Sequence, residues 1–295
     1  MPGPLLLHTP TALEYFASLV AEDDGFPVLE AAIAFAHDEY PDLDCQTVLA
    51  EIDGLALRLK SRLAPDAAPL HRLRLLNRFF FQELGFAGNV NDYYDAGNSY
   101  LHAVLQARRG IPITLALLYC EIAAQAGLVA SGISFPGHFL VKLRMPQGEV
   151  VIDPFTGQSM SRETLEAMLV PVRRRQALAL GRDAGSPDLV PLVLFLQAAP
   201  PRDIVARMLR NLKEIHRSNG DARRLKKVID RLVVLLPEAW DERRDRGIAL
   251  AELGQIGPAV DDLRTYLDRV PQAPDRFAIA SRLAELGHGD PSRLH

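Results

Sequence analysis

Cys120, His138 and Asp153 are the side-chain types that a thiol hydrolase combines. Such an enzyme needs a nucleophile, a base that takes its proton and a carboxylate that orients the base. His138 and Asp153 fall on two apolar runs, 138–143 and 150–153, separated by Met145-Pro146-Gln147-Gly148, which predicts a β-hairpin. Opposite residues of a hairpin point to the same face. If the loop holds an even number of residues, Phe139, Val141, Leu143, Val150 and Ile152 share one face. That parity brings His138 and Asp153 to the other. Phe135-Pro136-Gly137 would let the chain turn sharply onto the first strand.

The nucleophile is harder to place. A thiolate gains from a helix N-terminus, where free N–H groups and the dipole favour negative charge. Cys120 lies about two turns inside a helix that begins near Pro112. It is in register with Ile113, Ala116, Leu117 and Ala124, so it reads as a small core hydrophobe. Cys45 sits just before another helix, and nothing else marks it. Thr114 is the residue near the helix N-terminus. Its hydroxyl is either a weak nucleophile or a local hydrogen-bonder to an orphan backbone group. His102, His138 and Asp153 lack the ligand spacing of a zinc site, so we expect no metal and no cofactor.

These residues must be positioned by a mainly helical chain. Thr11-Ala12-Leu13-Glu14 matches a capping box and starts a helix to about Ala21, ended by Asp23-Asp24-Gly25. Helical patterns follow at 28–39, 46–63 and 70–84. Residues 85–99 are dense in Gly, Asn and Asp around Tyr93 and Tyr94, and predict a long ordered loop of the kind that carries function. A helix from about Ser99 ends at Gly110, and Pro112 fits the first turn of the next, which runs to about Ala126. Ser161 to Leu169 reads as a further helix before the Arg173–Arg175 stretch. Gly185-Ser186-Pro187 and Ala198-Ala199-Pro200-Pro201 read as linkers, which puts a boundary near residue 200.

Beyond it the chain repeats. Gly220 and Gly254 are 34 residues apart, as are Pro237 and Pro271. A 34-residue helix–turn–helix ending in proline resembles the tetratricopeptide repeat. Copies fall near 206–239 and 240–273, and 277–286 would form a closing helix. Gly247, Ala259, Leu263 and Tyr266 fit the packing positions of the second copy; the first, with Leu225 in place of a small residue, is looser. So short an array cannot cover its own apolar faces and must lean on other parts of the chain. It is either a peptide-binding groove or a buttress.

With 295 residues the chain is long enough for two units. Its 48% hydrophobic and 24% charged content is ordinary for a globular protein. A net charge of −4 gives no electrostatic footprint for nucleic acid or membrane. Two cysteines cannot build a disulfide framework and suit a reducing compartment. Met1–Leu7 carries no basic residue, and no apolar run approaches the roughly 20 residues of a membrane helix. We therefore expect a cytoplasmic protein.

Several motifs together carry a resemblance over most of the chain. They are Asn91-Asp92-Tyr93-Tyr94-Asp95, Asn98-Ser99-Tyr100-Leu101, the run from Arg108 through Arg109-Gly110-Ile111-Pro112 to Leu115, Phe135-Pro136-Gly137-His138-Phe139-Leu140, and Ile152-Asp153-Pro154-Phe155. In the repeats, Arg210-Asn211-Leu212-Lys213 and Asp245-Arg246-Gly247 belong with them. The chain resembles the SirB-type branch of the transglutaminase-like superfamily, with C-terminal tetratricopeptide repeats. The resemblance implies an α+β, papain-like core over 1–199, mainly helical with a small antiparallel sheet, and an all-α repeat region over 200–295. It implies a triad of a Cys at a helix N-terminus, a His starting a strand and an Asp on the next strand. His138 and Asp153 match the last two. The thiol should fall between about Pro112 and Thr114, where there is none. Two readings follow. In one, a catalytically degenerate protein holds a protein or peptide partner in the old cleft around Tyr94, Asn98, Arg109, Gly110, Pro112, His138 and Asp153, and in the repeat groove. In the other, a peptide or amide hydrolase uses Thr114 as nucleophile, His138 as base and Asp153 as orienter.

Overall fold

The computed structural model describes residues 10–23, 25–179 and 190–288. The Met1–Leu7 terminus and the Gly185-Ser186-Pro187 linker lie outside them. By contact the chain forms two units, Asp44–Ile204 and a second made of Met1–Leu43 with Val205–His295.

Helix α1 is Ala12–Leu19 and α2 is Val28–Ala34, extended by a 3-10 turn over Phe35–Asp38. The capping box forms. The Glu14 amide donates to the Thr11 hydroxyl at 3.2 Å, and the Thr11 amide donates to the Glu14 carboxylate at 2.7 Å. Two backbone donors without helical partners are satisfied this way.

In the Asp44–Ile204 unit, α3 (Cys45–Lys60) is capped by Asp44, and α4 (Pro69–Asn77) runs into a π-helical turn at Arg78–Glu83. A short parallel pair, β1 (Ala87–Gly88) and β2 (Arg109–Gly110), brackets a 3-10 turn at Ala96–Ser99 and helix α5 (Leu101–Ala107). Helix α6 (Pro112–Gln125) follows. Then come β3 (Val129–Ile133), β4 (Leu140–Met145), β5 (Gly148–Asp153) and β6 (Gln158–Met160), an antiparallel sheet in that order. Helices α7 (Arg162–Ala179) and α8 (Leu192–Phe195) complete the unit.

Helix α6 is the core of this unit. Ile113, Leu115, Ala116, Leu118, Tyr119, Ile122 and Ala123 are buried, against α3 and against β3 and β4. A helix that is apolar nearly all round must be enclosed. Ile133, Phe135, Leu140 and Val151 form a second cluster with Leu165, Leu169 and Leu192 from α7 and α8. The β4–β5 register pairs Val141 with Ile152, Leu143 with Val150 and Met145 with Gly148. The turn is thus Pro146-Gln147, an even number, and the parity expected from the apolar pattern is realised.

The repeat region comprises α9 (Pro201–Ser218), α10 (Ala222–Leu235), α11 (Trp240–Glu252), α12 (Ile256–Arg269) and α13 (Arg276–His288). Gly220 and Gly254 turn the helix pairs with φ of +66° and +73°, a conformation glycine adopts without a steric penalty. At Gly247 a side chain would meet Leu263, so this glycine lets α11 and α12 approach closely. Leu250, Leu263, Tyr266, Ile279 and Leu286 bind α11, α12 and α13 into one cluster.

The exposed side of the first repeat is covered by α1, α2 and the turn after them. Arg231 of α10 is 2% exposed, with its guanidinium over the Phe16 ring and bonded to Asp38. Arg224 donates to Glu39 at 2.6 Å, and Lys227 to the Asp38 carbonyl at 3.0 Å. A division at residue 200 assigns these N-terminal helices to the same domain as the rest of residues 1–199. Their contacts place them on α10 instead.

Candidate functional site

Three segments meet at the N-terminus of α6. The first is the loop after β1. Asn98 is 4% exposed, and its amide nitrogen donates to the Asp92 and Tyr93 carbonyls while its oxygen accepts from Asn89 at 3.0 Å. Asn89 in turn accepts from the Asp92 amide, and Asp95 from the Gly97 amide at 2.7 Å. The long Gly/Asn/Asp loop is therefore ordered by its own short side chains. The second segment is β2, where Gly110 accepts from the Asn89 amide at 3.0 Å. The third is the turn after β5, docked on β1 by the Gly88 amide donating to the Phe155 carbonyl at 2.9 Å. The Phe155 ring covers Gly88, where a methyl group would overlap it.

Thr114 lies beneath these segments with no exposed surface. Its hydroxyl bonds to the Asn98 carbonyl at 2.9 Å and the Ile111 carbonyl at 3.0 Å, and accepts from the Ile111 amide at 3.2 Å. Of the two roles open in the sequence, this geometry is that of the local hydrogen-bonder. Pro112 opens the helix above it. A methyl group at Gly110 would sit 2.8 Å from the Thr114 hydroxyl, so the glycine is what admits the hydroxyl.

His138 is exposed, in a turn closed by its amide on the Phe135 carbonyl at 2.9 Å, two residues before β4. Among the described residues its ring is bonded to neither Thr114 nor Asp153. Asp153 ends β5, and its carboxylate accepts from the Phe155 amide and the Thr156 hydroxyl, both at 2.9 Å. It organises the Phe155 turn. Arg109 is exposed and donates to the Gly85 and Arg108 carbonyls, which ties β2 to the end of the π-helical turn. Tyr94 is 79% exposed on the rim, edge-on to Tyr93. The structure thus joins Asn98, Gly110, Pro112 and Thr114 in one cluster. His138, Asp153, Arg109 and Tyr94 lie outside its hydrogen bonds.

Cys120 sits in the third turn of α6, and burial pushes its thiol up to about 12, the reverse of activation. Cys45 is buried as the first residue of α3. Among the described residues no group of three His, Cys, Asp or Glu side chains is placed to hold a metal ion.

The repeat unit holds a second candidate. An open cavity of about 550 Å³ lies between α9 and α11, floored by Leu225, Ile248 and Ala249. Beside it runs a ribbon of ion pairs. Lys213 reaches Glu242 at 2.5 Å and Asp245 at 2.6 Å; Arg217 and Arg244 each reach Asp245 at 2.8 Å; Arg244 reaches Asp275 at 2.7 Å. Tyr266 donates to Asp275 at 2.6 Å. Lys213 and Arg244 hold Asp245 below the usual carboxylate range, and the Tyr266 hydroxyl and Arg244 do the same for Asp275, in both cases against the desolvation that would raise them. Lys213 and Asp245 stand in the two repeat motifs noted in the sequence, but nothing in their spacing shows that they meet. Position 34-residue periodicity assigns; side-chain partners it does not.

Comparison with known proteins agrees with this architecture. The profile of the transglutaminase-like superfamily matches residues 46–210, and that of the tetratricopeptide repeat matches residues 212–284. A UPF0162 protein of Xylella fastidiosa is 35% identical over 268 residues, 90% of this chain and 92% of the relative. One from Vibrio cholerae is 27% identical over 281 residues, 94% and 99% of the two chains. The UPF0162 protein YchA of Escherichia coli is 24% identical over 251 residues, 85% and 88%. No solved structure matches. With more than half its length in the first profile and a mainly helical chain around a four-stranded antiparallel sheet, the protein belongs to the transglutaminase-like superfamily, alongside the UPF0162 proteins, and carries tetratricopeptide repeats behind that domain.

Proposed function

We propose that this protein is a binding module that has kept a transglutaminase-like scaffold without its acyl-transfer chemistry, and that it holds a protein or peptide segment through the repeat groove and the cleft at the α6 N-terminus. The observation that carries the reading is the state of that helix end. The resemblance to the family puts an activated thiol at about residues 112–114, where this chain has Pro112-Ile113-Thr114, and the Thr114 hydroxyl is engaged by three backbone groups. A nucleophile must be free to lose its proton to a base within hydrogen-bond reach. The surface around it suits contact instead, with Tyr94 and Val90 exposed on a loop ordered from within. No described helix is long and apolar enough to cross a membrane.

The test is an amide-hydrolysis and transamidation assay on purified protein beside the His138→Ala variant. We expect no turnover that depends on His138. Turnover abolished by His138→Ala would overturn the reading. Capture of partners from the native cell, repeated with Ile248→Trp, locates the binding: a partner lost with that variant belongs to the groove.

A further inference from the structure

The charges of the repeat groove are unevenly committed, and this bears on what the groove accepts. Each groove cation already has a carboxylate. Lys213, Arg217 and Arg244 converge on Asp245, which is 12% exposed, and Arg244 also holds Asp275. An incoming anion would have to displace Asp245 from charge-assisted bonds of 2.6–2.8 Å. Glu252, on the cavity lining, makes no ion pair among the described residues. His216 lines the same cavity at 4% exposure, with a buried Nε2 that has no hydrogen-bond partner among them. Burial lowers the His216 pKa, so the ring adds no positive charge at neutral pH. The floor between these groups, Leu225, Ile248 and Ala249, is apolar.

Resting on the groove reading above, we propose that this cavity takes an extended peptide segment carrying a lysine or arginine beside an apolar side chain. The basic group meets Glu252, the apolar one covers Ile248 and Ala249, and a backbone polar group of the segment satisfies His216 Nε2. Asp245 acts as a built-in counter-anion that turns acidic segments away. It is a specificity-determining residue, since it satisfies the cations an acidic ligand would need.

The experiment is fluorescence anisotropy with the full chain and three labelled peptides, one apolar core flanked by lysines, by glutamines or by glutamates. We expect the lysine peptide to bind about tenfold or more tightly than the glutamate peptide, with the gap shrinking in high salt. Glu252→Lys, an exposed change that leaves the fold intact, should remove most of the gap. Asp245→Asn should narrow it from the other side, by strengthening the glutamate peptide. Equal or tighter binding of the glutamate peptide, lost on Ile248→Trp, overturns the charge assignment and leaves the groove reading standing. Binding of no peptide, or binding that Ile248→Trp leaves unchanged while circular dichroism shows an intact fold, overturns both.

Discussion

At the scale of single residues, Cys120 is a thiol whose ionisation is opposed by burial. Its thiol would ionise near 9.0 in an unfolded chain and is pushed up to about 12 in the fold. Between those values the unfolded state has lost a proton that the native state keeps. Stability therefore falls as pH rises from 9 toward 12. Tyr119, also raised by burial, adds to the decline from about pH 10. We expect Cys120→Ala to cost about 1 kcal/mol at pH 8 and proportionally less as pH rises, because the variant no longer loses the thiol's contribution. Urea titrations of both proteins at several pH values check this. A difference independent of pH refutes the assignment. Iodoacetamide should label Cys120 far more slowly in the folded protein than after unfolding, because the raised pKa leaves little thiolate. The same residue shows what was legible. Its helical register with Ile113, Ala116, Leu117 and Ala124 predicts a core position; in the structure Ile113 and Ala116 are buried, Leu117 and Cys120 half-buried and Ala124 exposed, so the stripe is enclosed only toward the helix N-terminus. The fate of the Thr114 hydroxyl was not legible, because its partner carbonyl belongs to Asn98, sixteen residues earlier.

Among elements, those with a clear period were readable and those without were not. The β4–β5 register follows from five apolar residues and a turn of even length. Strand β3 was hidden because Ser131 and Gly132 break its pattern, and Gly132 is there for the Phe139 ring that lies on it. Helix α7 continues past Leu169 and through Pro171, since Ala177 still finds a buried place on the same face. Least legible was the seating of the N-terminal helices. Arg231 is a charged residue in a repeat helix, and nothing in the sequence singles it out, yet it is among the most buried side chains of the unit. Its partner Asp38 is 193 residues away in sequence. Asp38→Ala would remove the carboxylate bonded to that buried guanidinium, which we expect to cost about 3–5 kcal/mol in urea denaturation. Arg231→Met on the Asp38→Ala background should recover most of the loss, because a methionine can fill the site without a charge. A double variant no more stable than Asp38→Ala alone would show that Arg231 is not held by this pair.

For the whole molecule, the seating of residues 10–43 on α10 changes what counts as a folding unit. Two repeats and a closing helix leave one end of the stack open, and isolated repeats are unstable for want of a covering layer. Here α1, α2 and the turn after them supply that layer, through Phe16, Asp38 and Glu39. The two ends of the chain therefore fold together, while Asp44–Ile204 forms its own core around α6. A fragment of residues 200–295 loses the layer and strands Arg231 against water on one side and apolar helix on the other. We expect its helix signal in circular dichroism to be weak and to melt without a cooperative transition. Adding a fragment of residues 1–43 in trans should restore both signal and cooperativity, and the Asp38→Ala form of that fragment should restore less. If residues 200–295 alone melt as sharply as the reconstituted pair, the repeats are self-sufficient and the N-terminal helices are ornament to them. The expected result would instead make the N-terminal layer a condition for the groove, which lies between α9 and α11 of the repeat stack.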